Sequence, residues 1–298
     1  MTLAPSAPRP DPRIAPYRSD LASTSLRHVV AAARYVDPWA MEIIADVVAL
    51  RAEPDPGAGL VTQALFGEQV SVYEERDGWA WVQIGTDDYI GYLRASALGG
   101  PAPEKSHKVG ALRTYLYPKP DLKVPPRGLL SLGSRLSVLG RKDGFCEIPG
   151  GGYIASGHVV EMDHAEPDYV AVAERFVGTP YLWGGRSSIG LDCSALVQLA
   201  LAATGVAAPR DSDMQLTLGA PLPISDTGGG ESPDGLRRGD LVFWRGHLGI
   251  MTGPEMLLHA NAHHMAVAEE PLAKAIARIG ASGSEVIGLR RLQSDLHQ

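Results

Sequence analysis

Apolar residues in the last third of the chain follow two different periods. After Cys193 they fall at the three- and four-residue steps of one helical face, and Gly205 stands where a left-handed helix stop is expected. This pattern predicts a helix that begins at Cys193, with Asp192 as its N-cap. The apolar face is formed by Leu196, Val197, Ala200, Leu201 and Thr204.

Further on, short apolar runs at 239–244, 247–251 and 255–259 are divided by turn residues and predict three strands. A hairpin centred on Gly253 places His247 directly opposite His259. Cross-strand neighbours on one face have Cβ atoms about 5 Å apart. We therefore expect the two imidazoles to meet.

These elements favour nucleophilic chemistry at sulfur. A cysteine in the first turn of a helix lies near unpaired backbone N–H groups and the positive end of the dipole, which favour the thiolate. We expect Cys193 to be a nucleophile with a lowered thiol pKa, His247 to be its base, and His259 to orient the base. The alternative for each residue alone is a packed core position.

A zinc hydrolase is a second interpretation, because histidines are frequent in this region. Its ligands would come from Cys193, His247, His259, His263 and His264. The predicted strand around His259 and the absence of a following His-Glu pattern disfavour it. We expect no metal and no other cofactor.

The middle of the chain contains a degenerate repeat. Residues 49–51, 67–72, 77–79 and 89–91 recur in similar form at 111–113, 133–138, 143–145 and 153–155. The first copy predicts strands at 69–73, 80–84 and 90–93, separated by Asp-Gly and Gly turns. Two small all-β barrels are therefore expected.

The predicted architecture is α+β, with four segments. These are an N-terminal arm with a short helical segment at 1–43, a first barrel at 44–100, a second barrel at 104–164, and a catalytic domain at 165–298. The helical part of the arm is expected at 25–41 from its mixed periodicity. A long surface loop is expected at 220–238, where glycine and proline are frequent.

Composition narrows the possible partners and location. The 298 residues carry a net charge of −7, which disfavours nucleic acid and anionic membranes as partners. No apolar run is long enough to span a bilayer, and no signal-peptide core precedes the first charges. Cys146 and Cys193 fall in different modules, so we expect no disulfide and a reducing, cytoplasmic location in preference to export.

Five successive motifs carry a family resemblance. They lie at 179–185, 192–195, 209–215, 239–243 and 247–250 and resemble those of the NlpC-type cell-wall cysteine peptidases, which have a papain-like fold. The resemblance covers roughly residues 165–298 and implies Cys193 as nucleophile, His247 as base and His259 as the orienting residue. Ala195 departs from the pattern, since the family more often has Gly there.

The resemblance also implies roles for residues around the thiol. Tyr181 would donate its hydroxyl to the oxyanion. Substrate contacts are expected at Asp192, Ser194, Asp211 and Ser212. For Trp183, we expect a place in the core.

In the branch of this family with paired SH3-like domains, which recycles tripeptides, the acid of the Arg-Asp-Ser motif holds a free peptide amine. In this sequence that acid is Asp211, whose alternative role is a helix N-cap. The first barrel of that branch also closes off the cleft with an acid and a tyrosine. By position these are Glu68 and Tyr89, although a turn acid explains Glu68 equally well.

The expected function is a cysteine endopeptidase that hydrolyses the γ-D-glutamyl–diamino acid bond of peptidoglycan-derived peptides and prefers a free N-terminal L-Ala. Two alternatives stay open. One is transfer of the acyl group to an amine instead of water, and the other is an inactive wall-binding protein.

Overall fold

A computed structural model describes residues 9–100, 103–224, 233 and 235–292 of the chain. The chain divides into two compact units, Met1–Pro103 and Glu104–Gln298. The first eight residues of the predicted arm, and residues 225–232 and 234 of the predicted surface loop, lie outside the described residues.

The first unit is built mainly of strands. They are β1 (Leu21–Ser23), β2 (Arg34–Val36), β3 (Trp39–Ile43), β4 (Val47–Arg51), β5 (Leu60–Leu65), β6 (Gln69–Arg76), β7 (Trp79–Ile84), β8 (Ile90–Arg94) and β9 (Leu98–Gly99). Strands β3 to β9 form one sheet in the order β5-β4-β8-β7-β6-β3-β9, and β1 pairs with β2 in parallel. Short 3₁₀ helices lie at Thr24–Leu26 and Ala95–Ala97.

The turn residues, and the alternation of buried and exposed side chains along the strands, explain why this sheet forms. Asp77 and Gly78 both have positive φ and join β6 to β7, as a tight hairpin requires. Val70, Val72 and Ile84 lie in one buried core. The three strands predicted for the first copy are confirmed as β6, β7 and β8.

The helical segment predicted for 25–41 is wrong. The described residues there form the 3₁₀ turn Thr24–Leu26 and the strands β2 and β3, with no α-helix. Asp37-Pro38 interrupts any helix at this point. Strand β3 instead pairs with β6 and β9, so the sheet satisfies the backbone groups.

The second copy of the repeat opens the second unit. Its strands are β10 (His107–Val109), β11 (Arg113–Leu116), β12 (Gly128–Ser131), β13 (Arg135–Leu136), β14 (Gly140–Lys142), β15 (Phe145–Ile148), β16 (Gly152–Ala155) and β17 (Val159–Glu161), with a 3₁₀ turn at Ser156–His158. Asp143 and Gly144 repeat the positive-φ turn of Asp77 and Gly78. Cys146 lies in β15, and both cysteines are free.

Closed barrels are not confirmed in either copy. The strands of the second copy pair into sheets of three, two and three strands, in the orders β13-β10-β17, β11-β12 and β14-β15-β16. Among the described residues the seven-stranded sheet of the first copy also stays open. The strands are short, and the turns between them interrupt hydrogen bonding from one sheet to the next. The internal repeat and the predicted strands were therefore not enough to determine whether the sheets close into barrels.

The rest of the second unit is α+β, as predicted. The helices are α1 (Tyr169–Glu174), α2 (Cys193–Ala203), α3 (Ser212–Gln215) and α4 (Leu272–Ala281). The strands are β18 (Arg186–Ser187), β19 (Gly190–Leu191), β20 (Ala220–Pro221), β21 (Asp240–Trp244), β22 (His247–Met251), β23 (Met256–Asn261), β24 (Ala266–Pro271) and β25 (Val286–Arg291).

A six-stranded antiparallel sheet supports the site. Its order is β20-β25-β21-β22-β23-β24, and α2 packs against β22 and β23. The buried face of α4, which includes Leu272 and Ile276, packs with Val242, Trp244 and Leu289 of the sheet. None of the helices in the described part of the chain is long and apolar enough to cross a membrane.

Candidate active site

The helix that carries Cys193 begins as the sequence predicts. Helix α2 starts at Cys193, and the Asp192 carboxylate accepts a hydrogen bond from the Ala195 backbone N–H at 2.9 Å. Gly205, with φ near +80°, follows the helix. Cys193 is 7% exposed, so the thiol lies almost wholly within the protein.

The Asp192 carboxylate is the centre of a buried network. Arg210 donates to both of its oxygens at 2.9 and 2.7 Å, and the Gly184 backbone N–H donates at 3.0 Å. Ser194 donates its hydroxyl to Asp192 at 3.1 Å and accepts from Arg210 at 2.8 Å. These bonds tie α2 to the segments on either side of it.

Sequence reasoning missed Arg210. Its side chain is 1% exposed, and it also donates to the Gly185 carbonyl at 3.2 Å. A buried arginine needs a paired acid, because an unpaired charge in the interior is costly. The available signal was its position in the polar Pro-Arg-Asp-Ser segment after α2, directly before Asp211.

The predicted lowering of the thiol pKa is wrong in this structure. Burial and the nearby Asp192 charge raise the pKa of Cys193 to about 12. Hydrogen bonds from the Leu248 and Ser194 backbone N–H groups and the Arg210 charge oppose this without outweighing it. Desolvation of the thiolate exceeds the helix-terminus effect, so the thiol is protonated at neutral pH.

The hairpin register differs from the predicted one by two residues. Ile250 pairs with Leu258 and Met251 with Leu257, which places Gly249 opposite His259. An even shift keeps side chains on the same face. The imidazoles therefore still meet, with His247 Nε2 2.8 Å from His259 Nδ1.

Gly249 provides the space for this contact. A Cβ atom at this position would lie 2.7 Å from Leu257 Cδ1 and 3.1 Å from His259 Cβ. The first distance is shorter than side-chain contacts allow. A glycine opposite His259 is thus part of how the histidine pair is accommodated.

Two further residues extend the histidine pair. His259 Nε2 lies 2.9 Å from Glu270 Oε1, and His259 itself is fully buried. Arg278 of α4 donates to Glu270 through both terminal nitrogens, at 2.7 and 2.5 Å. Sequence reasoning missed both residues, although a glutamate at the end of an apolar strand followed by an arginine on the next helix was a visible signal.

Burial also sets the charge of the histidines. It lowers the pKa of His247 to about 3, with the neighbouring His259 contributing, and it lowers the pKa of His259 to about 4 despite the bond to Glu270. Both rings are therefore neutral near pH 7. The site therefore holds a neutral thiol and neutral imidazoles near pH 7.

Tyr181 lies near the sulfur. Its backbone N–H donates to the Met265 carbonyl at 3.0 Å, and it forms a bridge with Leu191 just before the helix. Burial and the Cys193 and Asp192 charges raise the pKa of Tyr181 to about 12. Its hydroxyl keeps its proton at neutral pH, as a hydrogen-bond donor must.

The predicted substrate residues after α2 are half-buried. Asp211 occupies the N-cap position of α3 but makes no capping bond with its side chain, and Ser212 is the first residue of that helix. In the first unit, Glu68 accepts from the Leu65 backbone N–H and the Thr86 hydroxyl at 2.7 Å each. Tyr89 packs in the core of that unit. The substrate roles of these four residues stay predictions.

Trp183 does not lie in the core. It is 70% exposed, so the expected packing role is wrong. Gly184 and Asp192 are hydrogen bonded to each other, and this bond turns the segment that carries the tryptophan. The indole is consequently on the surface of the second unit.

The histidine-rich region does not assemble the predicted zinc set. Within the described residues, the group with ligand atoms within 4.8 Å of one another is His259, His264 and Glu270. Cys193, His247 and His263 are outside it. In addition, both Glu270 oxygens are engaged by Arg278.

Two parts of the chain match families of known proteins. Residues 178–278 match the NlpC/P60 family, and residues 50–98 match the bacterial dipeptidyl-peptidase Sh3 domain. Dipeptidyl-peptidase 6 of Lysinibacillus sphaericus is 28% identical over 244 residues, covering 74% of this chain and 86% of that protein. Gamma-D-glutamyl-L-lysine dipeptidyl-peptidase of Bacillus subtilis (strain 168) is 26% identical over 223 residues, covering 67% and 71%.

The fold has a similar solved structure. An NlpC/P60 family protein from Bacillus cereus superposes with a TM-score of 0.71 at 20% identity, covering 85% of this chain and 99% of that one. At this identity the likeness supports the α+β, papain-like fold and carries no information about a substrate.

Replacing Gly249 by alanine should disturb the histidine pair. We expect Gly249→Ala to destabilise the protein by about 1–3 kcal/mol through overpacking against Leu257 and His259, and to lower peptidase activity. Chemical denaturation and a peptidase assay measure the two effects. Gly253→Ala is the matched control, because nothing lies within 4 Å of its Cβ position. Equal stability and activity of the two variants would contradict the packing argument.

The Cys193 thiol should be protonated near neutral pH. We expect the far-ultraviolet difference spectrum between the protein and Cys193→Ser to show little thiolate absorbance at pH 7, since burial raises the thiol pKa. The subtraction cancels Cys146. Strong thiolate absorbance at pH 7 would instead show an ion pair between sulfur and imidazole.

Removing the Arg210 charge should cost far more than removing a surface arginine. Arg210→Met leaves the buried Asp192 carboxylate without its partner, and we expect a loss of about 3–5 kcal/mol in the free energy of unfolding. Arg245→Met, in the exposed turn between β21 and β22, should change it by no more than about 0.5 kcal/mol. Similar losses in a denaturant titration would refute the role given to the network.

Proposed function

We propose that this cysteine peptidase hydrolyses the γ-D-glutamyl–diamino acid bond of peptidoglycan-derived peptides. Two findings support the proposal: the chain joins an NlpC/P60 domain to a bacterial SH3 domain, and it is homologous to gamma-D-glutamyl-L-lysine dipeptidyl-peptidases. The observation that carries the proposal is the contact of His247 with His259 beside the helix that begins at Cys193. The Leu248 backbone N–H, next to His247, hydrogen bonds to the sulfur.

In the proposed mechanism Cys193 is the nucleophile and His247 is the base. As the sulfur attacks the γ-carbonyl carbon, the thiol proton passes to His247 and the carbonyl oxygen becomes an oxyanion. Backbone N–H groups at the start of α2 and the Tyr181 hydroxyl stabilise that charge. One such donor is typically worth about 3 kcal/mol in the transition state.

Three proton transfers complete the reaction. The tetrahedral intermediate expels the diamino acid amine, which takes the proton from His247 and leaves a γ-glutamyl thioester on Cys193. His247 then removes a proton from water as its oxygen attacks the thioester, and it returns that proton to the departing sulfur, which releases the γ-glutamyl acid and regenerates the thiol. The contact between His247 and His259 keeps the base in one orientation throughout.

The proposal assigns recognition of the peptide's free amine to Asp211. Its backbone is held in place because the preceding Arg210 is anchored on Asp192, beside the nucleophile. Its side chain makes no capping bond to α3, which favours a role other than the N-cap. The ammonium of an N-terminal L-Ala would pair with this carboxylate, and a substrate with a neutral end would lose that charge pair at a cost of a few kcal/mol.

A comparison of two substrates tests the proposal. We expect purified protein to cleave L-Ala-γ-D-Glu-diamino acid after the glutamate and to cleave its N-acetylated form at least about 100-fold more slowly, because a few kcal/mol of pairing is lost. Mass spectrometry identifies the products, and an added amine reveals acyl transfer. Cys193→Ala should abolish cleavage.

Asp211→Asn should lose most of its activity on the free peptide and little on the acetylated one. The matched control is Asp213→Asn, an exposed acid in the same short helix, which should keep the preference for a free amine. Equal cleavage of both substrates by the unaltered protein would overturn amine recognition. Absence of cleavage of either would overturn the substrate class.

A further inference from the structure

Four side chains form a continuous line of hydrogen bonds that runs away from the nucleophile. His247 Nε2 contacts His259 Nδ1 at 2.8 Å, and His259 Nε2 contacts Glu270 Oε1 at 2.9 Å. Arg278 ends the line with its two bonds to the Glu270 carboxylate. Catalysis by Cys193 and His247 uses only the first of these contacts.

The charge at the far end of the line is fixed. Burial by itself would raise the pKa of Glu270, but hydrogen bonds from Arg278 and His259 outweigh it and lower the pKa to about 2. The carboxylate is therefore ionised at every pH where the protein would work. An ionised carboxylate has only acceptor atoms.

Because both rings are neutral, the ionised carboxylate sets the direction of every hydrogen bond in the line. Because Glu270 can only accept, His259 must carry its proton on Nε2. A neutral imidazole has one donor and one acceptor nitrogen, so His259 Nδ1 accepts and His247 Nε2 donates. His247 Nδ1 is then left with a lone pair and no proton.

We propose that Glu270 is a positioning residue, which sets the tautomer of His259 and, through it, holds His247 with an unprotonated Nδ1 as the base. This inference rests on the proposed function, since it concerns the base of that reaction. It extends the site from three residues to Glu270, with Arg278 orienting the carboxylate. In the reverse tautomers His247 Nδ1 would already carry a proton and could not accept one from the thiol.

A purely structural role for Glu270 makes a different forecast. Glu270 lies in β24 and Arg278 on α4, so their ion pair also links strand to helix. If that link were its only role, any loss of charge would do the same damage, and the ring protons would not respond. If the carboxylate sets the tautomers, an uncharged side chain that keeps an acceptor oxygen should suffice in large part.

The test compares Glu270→Met with Glu270→Gln. Methionine removes the acceptor, whereas the glutamine oxygen can still accept from His259 Nε2 at the place of Oε1. We expect Glu270→Met to lower kcat about 100-fold with little change in KM, and Glu270→Gln to stay within about tenfold of the unaltered protein. Glu269→Gln, the exposed acid one residue away, is the control and should change neither constant.

The tautomers themselves are read by nitrogen-15 magnetic resonance of labelled histidines near pH 7. A chelator is present so that no metal occupies the group of His259, His264 and Glu270. We expect Nε2–H on both His247 and His259 in the unaltered protein and in Glu270→Gln. In Glu270→Met both rings should shift to Nδ1–H. Circular dichroism confirms that each variant is folded.

Two results would overturn the inference. One is a proton on Nδ1 of His247 in the unaltered protein. The other is equal loss of kcat in Glu270→Gln and Glu270→Met with unchanged ring protonation. Should Glu270→Met not fold, Arg278→Met removes the ion pair but keeps the acceptor, and unaltered tautomers are expected there. The spectra need no substrate, so they decide the matter even if the proposed peptide is not cleaved.

Discussion

The rest of the site depends on the hydrogen bonds and the ion pair that the Asp192 carboxylate makes. It caps the first turn of α2, accepts the Gly184 N–H, and pairs with the buried Arg210. One side chain thereby sets where the helix starts, how the preceding segment turns, and where the following segment is anchored. The Asp192 charge disfavours the thiolate form of the neighbouring Cys193, and the Arg210 charge offsets part of that effect. The arrangement fixes the position of the sulfur, but it does not favour the ionised form of the thiol.

Desolvation dominates the electrostatics of the site. The thiol pKa rises and both imidazole pKa values fall, because each charged form would lose contact with water. Glu270 is the exception, since Arg278 compensates its burial. The thiol and both imidazoles are therefore neutral near pH 7, whereas Glu270 at the far end of the line is ionised. With this distribution the fixed charge of Glu270 can orient the ring protons, and the sulfur keeps its proton at neutral pH.

The alternation of side chains in the sheet explains why the two histidines meet although the predicted hairpin register was wrong. The predicted hairpin centre was one residue too early. In the structure the residue opposite His259 is therefore Gly249 instead of His247. Side chains alternate between faces with a period of two, so a shift of two kept both rings on one side of the sheet. Without a side chain at Gly249, the diagonal neighbours can reach each other. Glu270 reaches His259 from the next strand in the same diagonal manner.

The sequence by itself determined the local elements: the start of α2 at Asp192 and Cys193, the strand that begins at His247, and the Asp-Gly turns of the repeated modules. Each is set by neighbouring residues, through capping, alternation and positive φ. Only the tertiary structure decided the register of His259, the burial that raises the thiol pKa, and the meeting of Glu270 with Arg278. These three features depend on which surfaces pack together and exclude water. A local sequence pattern encodes neither which distant residues meet nor how much water a side chain loses on folding.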